Sequence, residues 1–146
     1  MFELSININR SIATVFARLA DVEAAPSWYS AVTAVARLSA GPIGRGSRYR
    51  FTRDIAGRKV ENIIEVTEFV DGARLTLSSV SGPTPFTYRY RLEVDGAATR
   101  LSLAGTISGA GLGGPMGLLA PLASHFFERG MRTNLDTLKR LLEAQP

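Results

Sequence analysis

The chain opens on a strict alternation: Phe2, Leu4, Ile6 and Ile8 are apolar, while Glu3, Ser5, Asn7 and Asn9 are polar. Period two is the mark of a strand with one buried face. The period then lengthens. Ile12, Val15, Phe16 and Leu19 recur at helical spacing behind Ser11, a residue type that caps helix N-termini, so the pattern predicts a short helix over 12–19. A second short helical piece over 22–25 runs into Pro26-Ser27-Trp28. From residue 31 the period returns to two, and strands are predicted over 32–38, 48–53, 59–69, 74–80, 86–94 and 99–107. Glycine, proline and aspartate mark the gaps, as at Gly41-Pro42-Ile43-Gly44, Asp71-Gly72, Gly82-Pro83-Thr84-Pro85 and Asp95-Gly96. Gaps this short join antiparallel neighbours, because parallel pairs need crossovers of a dozen residues or more.

The last periodic segment, 118–144, reads as one long helix with a kink or true start at Pro121. Phe127, Met131, Leu135, Leu138 and Leu142 form its apolar stripe, flanked by Arg129, Arg132, Asp136, Lys139, Arg140 and Glu143. A curved antiparallel sheet has one face needing cover, and this stripe supplies it. The predicted class is therefore α+β: seven antiparallel strands, two short helices after the first, and a long C-terminal helix in the hollow. The 146 residues read as a single domain, 1–146.

Strand phase sorts the side chains. Facing the helix are Tyr49, Phe51 and Arg53; Val60, Asn62, Ile64 and Val66; Leu75, Leu77 and Ser79; Phe86, Tyr88, Tyr90, Leu92 and Val94; and Leu101, Leu103 and Ile107. In 59–69 the phase is ambiguous because Ile63 and Ile64 are adjacent. Such a hollow has apolar walls and a few convergent polar groups, the character of a small-molecule pocket. Candidate ligand contacts are Trp28, Tyr49, Phe51, Arg53, Asn62, Ile64, Val66, Leu77, Ser79, Tyr88, Tyr90, Leu103, Phe127 and Met131. Trp28 is expected to plug one end of the hollow.

Other chemistry is sparse. Gly109-Ala110-Gly111-Leu112-Gly113-Gly114 fits G-x-G-x-x-G, but a dinucleotide site needs a second parallel strand ending in an acid about 20 residues on. The chain beyond reads only as helix, Asp136 sits within it, and Pro115 lacks the amide an anion would use. With Gly105, the run reads as a hinge between the last strand and the helix. The one histidine, His125, lies about 140° from the apolar stripe and is expected to face away from the sheet. With no cysteine, no second histidine and no acidic cluster at ligand spacing, neither a metal nor a cofactor is expected. The outward phase holds Arg48, Arg50, Arg74, Arg89, Arg91 and Arg100 beside Glu61, Glu65 and Glu93, for which cross-strand pairing is the economical reading; an accessory interaction surface is the alternative.

Composition adds little. The chain is 45% hydrophobic and 21% charged, and its net charge of +4 is too mild to imply nucleic acid without a clustered patch. No apolar run approaches the roughly 18 residues of a membrane span, and the N-terminal residues lack the signal-peptide pattern. A cytoplasmic protein without stable membrane insertion, monomer or homodimer, is expected.

In order and spacing, several segments resemble the START/Bet v 1-like (SRPBCC) superfamily, in particular its bacterial polyketide cyclase/dehydrase-type group. They are the opening strand with Asn9-Arg10-Ser11-Ile12-Ala13-Thr14-Val15-Phe16, then Leu19-Ala20-Asp21, Pro26-Ser27-Trp28, Gly41 to Gly46, Glu65-Val66-Thr67-Glu68, Asp95 to Arg100, and the long final helix. The resemblance implies a helix-grip fold with a deep apolar cavity, and binding of a small hydrophobic, cyclic or aromatic molecule. It also implies that the glycine run borders the cavity mouth. A minority of the superfamily are aromatases and cyclases, which steer a polyketide with arginine, tyrosine and other polar groups; under that alternative Tyr88 and Tyr90 are the acid–base candidates. Only Asn62 supplies a polar inward group on 59–69, a departure from the enzymatic pattern.

Overall fold

The computed structural model describes residues 1–55, 57–107 and 123–145. Seven strands form one antiparallel sheet: β1 (Phe2–Ile8), β2 (Val32–Arg37), β3 (Arg48–Ile55), β4 (Arg58–Val70), β5 (Arg74–Ser81), β6 (Phe86–Asp95) and β7 (Ala98–Ile107). Their spatial order is β1-β7-β6-β5-β4-β3-β2. Strands β2 to β7 make a simple meander, which returns the last strand to the side of the first. The first two strands therefore lie on opposite edges. The chain crosses between them through α1 (Ile12–Ala20) and a 3-10 helix (Val22–Ser27). Ser11 caps α1 by accepting the Thr14 amide at 3.3 Å. Pro26 lies inside the 3-10 helix rather than ending it.

Helix α2 is described over Ala123–Glu143. It packs along β1 and β7, burying Met131, Leu135, Leu138 and Leu142, while Phe127 is only half-buried and Phe126 is exposed. Burial along the stripe thus fades toward the N-terminal end of the helix. The C-terminal end is fastened hard to the β1–α1 junction. The Asn9 amide donates to Glu143 Oε2 at 2.7 Å, and Arg10 Nη2 donates to the carbonyls of Glu143 and Gln145 at 2.5 Å each. Lys139 Nζ reaches both the Asn7 carbonyl at 2.5 Å and Glu143 at 2.7 Å.

Inward phase is as the alternation requires for Tyr49, Phe51 and Arg53, for Asn62, Ile64 and Val66, and for Tyr88, Tyr90 and Leu92. Val94 departs from it. It is 70% exposed, next to the last residue of β6 before the turn into β7. Between Ile63 and Ile64 the β4–β5 register shifts, with Val80 of β5 the extra residue. Strand β4 itself keeps its alternation, with Asn62, Ile64 and Val66 buried and Ile63 on the other face, only partly covered.

Gly105 is an interior residue of β7, not a hinge. It pairs with Phe2 on one side and Tyr88 on the other, and a Cβ there would collide with the Phe2 ring. The remaining glycines of the expected hinge, 109–117, lie outside the described residues. On the outer face Arg48 pairs with Glu65 at 2.9 Å and Arg91 with Glu93 at 3.3 Å. Arg74 instead meets Glu68 at 3.4 Å.

Candidate ligand-binding site

Between the sheet and the weakly packed half of α2 lies a cavity of about 920 Å³. Its floor is Phe51, Arg53 and Ile55 of β3 with Phe86 and Tyr88 of β6; Tyr29 to Val32 form one side, and α2 from His125 to Asn134 forms the roof. The polar residues in this apolar lining are held in place by specific bonds, beginning with the most deeply buried cation.

Arg53 is only 4% exposed. Its Nε and Nη2 donate to Asn62 Oδ1 at 3.0 and 2.7 Å. Nη2 also reaches the carbonyls of Pro83 and Thr84 at 3.1 and 3.3 Å, and the Thr84 hydroxyl. Asn62 in turn donates from Nδ2 to the Ser81 and Pro83 carbonyls at 3.2 and 2.7 Å. The guanidinium lies over the Phe86 ring, 5.1 Å from its centroid, a favourable cation–π placement.

The β5–β6 loop builds half of this cradle by folding back on β4. Gly82 has φ +101°, and a Cβ there would collide with the Glu61 carbonyl oxygen. Thr84 holds φ +50°, a conformation rare outside glycine, asparagine and aspartate.

Tyr88 is also 4% exposed, and its ring stacks on Phe86 with centroids 4.6 Å apart. Burial pushes its phenol up to about 12, opposed by the Arg53 charge. Burial likewise lowers Arg53 from its ordinary value, with Tyr88 opposing. Neither Tyr88 Oη nor Arg53 Nη1 has a hydrogen-bond partner among the described residues, and both residues line the cavity.

The expected contacts divide by position. Phe51, Arg53, Tyr88, Phe127 and Met131 line the cavity. Trp28, Leu77 and Tyr90 pack beneath the 3-10 helix around a void of about 10 Å³. Tyr90 shares a short hydroxyl–hydroxyl hydrogen bond with Tyr29, and burial raises both phenols. Tyr49, Ile64, Val66 and Leu103 are buried in the core. Asn62 stands behind Arg53. Ser79 closes the β5–β6 hairpin, accepting the Phe86 amide at 2.8 Å and donating to its carbonyl at 3.3 Å.

Among the lining residues that the phase argument did not name, three show why. Tyr29 is irregular in backbone and so has no phase. Asn134 sits on the apolar stripe, one turn from Met131 and Leu138, which was a usable signal. It accepts the Ser30 amide at 3.0 Å and donates to the Met131 sulfur at 3.3 Å, tying α2 to the segment before β2. His125 is exposed, as its helical angle demands, but it stands on the cavity wall.

The family described as polyketide cyclase/dehydrase and lipid transport matches residues 1–143. The chain belongs to that family. Among curated proteins none matches significantly. Solved structures share the helix-grip fold at low identity. A Thermus thermophilus protein superposes with a TM-score of 0.80 at 20% identity, covering 97% of this chain and 96% of its own. The Zhui aromatase/cyclase of a Streptomyces species gives 0.80 at 16%, with 97% and 92% covered. A START superfamily protein from Mycobacterium smegmatis gives 0.69 at 19%, with 96% and 97% covered. Among the described residues no helix is long and apolar enough to cross a membrane.

Proposed function

We propose that this protein binds a small, largely apolar molecule in the cavity under the N-terminal half of α2. The carrying observation is the cavity itself: about 920 Å³, walled by Phe51, Phe86, Tyr88 and Met131 and holding an incompletely bonded arginine and tyrosine. That size lies within the usual range of small-molecule sites, roughly 300–1,000 Å³. Burying the ligand's apolar surface supplies the free energy, at about 25 cal/mol per Å². The cysteine-free composition supports a cytoplasmic setting for this binding. The anionic naphthalene fluorophore 1-anilinonaphthalene-8-sulfonate tests the reading. One dye per chain should bind, and Met131→Trp, which narrows the cavity, should weaken binding while leaving the far-ultraviolet circular dichroism unchanged. Dye uptake unaffected by Met131→Trp would place the site elsewhere.

A second reading is favoured by the family and by the pairing of Arg53 with Tyr88. A guanidinium beside a neutral phenol can stabilise an enolate and return its proton, the requirement of a cyclase or dehydrase. Tyr88 then has the chemical role, while Tyr90, bonded to Tyr29 outside the cavity, does not. With an aromatic poly-β-ketone substrate, Tyr88→Phe should lower kcat by about 10²-fold or more, and Tyr90→Phe should leave it near wild type. Equal rates in all three proteins would remove the enzymatic reading.

A further inference from the structure

We propose that the ligand is an organic acid, seated with its carboxylate on Arg53 Nη1 and Tyr88 Oη and its apolar body in the cavity. The inference rests on the cavity being the ligand site and adds the ligand's charge and orientation.

Arg53 is a desolvated cation with no anionic partner among the described residues. Every acceptor around it is neutral: Asn62 Oδ1, the Pro83 and Thr84 carbonyls, and the Thr84 hydroxyl. Buried charges are normally paired, yet no nearby acid fills that place. Asp54 is the one acid among the described lining residues, but it is exposed and its Oδ1 accepts the Gly57 amide at 3.1 Å. Glu61, the cross-strand partner of Thr52, points to the exposed face. Residues 108–122 contain no aspartate or glutamate, so they cannot supply the charge. The α2 side of the cavity adds two more cations, Arg129 and Arg132. Arg132 stands 4.0 Å from Glu128 on the helix surface.

The site is therefore cationic and has two donors to spare. The geometry is costly to build, requiring Gly82 and a left-handed Thr84 to bring neutral acceptors onto Nε and Nη2. That arrangement orients the guanidinium and leaves Nη1 for something else. Two donors on one wall suit the two oxygens of a carboxylate. A neutral ketone would leave the charge uncompensated in a low-dielectric site. A phosphate, with greater charge and more oxygens, would be left with too few donors.

The test uses 2-naphthoic acid with its uncharged matches, methyl 2-naphthoate and 2-naphthamide, titrated calorimetrically into the wild-type protein. The acid should bind at least about tenfold more tightly than either neutral match, the scale of one charge-assisted interaction. Tyr88→Phe, which removes a hydroxyl without a protein partner, should weaken the acid about three- to tenfold and weaken the ester less, so that the acid's advantage shrinks. Arg53→Met should erase the acid's advantage, and Arg53→Lys should keep part of it. Because Arg53→Met strands the cradle acceptors and can unfold, the wild-type comparison and Tyr88→Phe decide the matter alone. Ester and acid binding equally would overturn the carboxylate assignment while leaving the cavity reading intact. So would tighter binding of 2-naphthyl phosphate. If neither the naphthalenes nor decanoic acid and decanol bind, the cavity reading itself fails.

Discussion

All four tyrosines of the chain are buried, and burial raises every one of their phenols. For such a group the neutral form is the one the fold accepts. Its stabilising contribution is complete below the ordinary value of 10.0 and is lost as pH rises through the higher folded value, about 12 for Tyr88. An alkaline titration followed in the near ultraviolet should therefore show no phenolate near pH 10, and the phenolate signal should rise together with loss of tertiary structure. A separable transition near pH 10 would mean that one ring is solvated. Gly105 gives a second residue-level expectation. The Phe2 ring occupies the place of its missing side chain, so Gly105→Ala should destabilise by about 1–3 kcal/mol in urea melts, and Phe2→Ala in the same chain should recover part of that loss. Such a glycine is invisible to pattern reading, which sees only a strand position without a side chain.

At the level of elements, the β5–β6 loop orients Arg53 and the C-terminal end of α2 anchors the helix. Gly82→Ala should cost about 2–4 kcal/mol, combining a clash with backbone and a disfavoured φ. It should also lower affinity for any ligand that uses Arg53, read by the same dye titration. The helix anchor responds to acid. The Lys139 hydrogen bond, and then the Asn9 amide, hold the Glu143 carboxyl below its ordinary value of 4.5. Its contribution is present above that value and is lost as pH falls through the lower folded one, so Glu143→Gln should flatten the acid limb of the stability profile. Strand phase made Arg53, Asn62 and Tyr88 legible as inward residues, because period-two alternation fixes the face without knowledge of the fold. It could not show that Asn62 serves Arg53, a diagonal cross-strand relation, or that a loop about thirty residues on completes the cradle. The ambiguity at Ile63 and Ile64 comes from an apolar side chain on the partly covered outer face of β4, Ile63, and only burial resolves it.

For the whole molecule, α1 packs toward β6 and β7 and the 3-10 helix against β2, and the cavity opens where neither these nor the buried part of α2 fill the hollow. A bound ligand stabilises the folded chain by mass action, about 2.7 kcal/mol at a hundredfold excess over Kd. Tm should accordingly climb with the logarithm of ligand concentration, and a flat Tm across a saturating titration would deny binding to the native state. The outer arginine pairs are exposed and belong to the weak class of ion pairs, worth about 0–1 kcal/mol, so they add little to this balance.

The fastening of α2 at one end has a mechanical consequence. A helix of 21 residues is about 30 Å long, and the clamp on Asn7, Asn9 and Arg10 makes its C-terminal tip a pivot. By simple leverage, a tilt of about 5° there carries the far end through about 3 Å, given the rise per residue. Asn134 is a second fastening, holding the helix to Ser30 at 3.0 Å beside the cavity, so the volume above Arg53 can change by such a tilt only where that hydrogen bond yields.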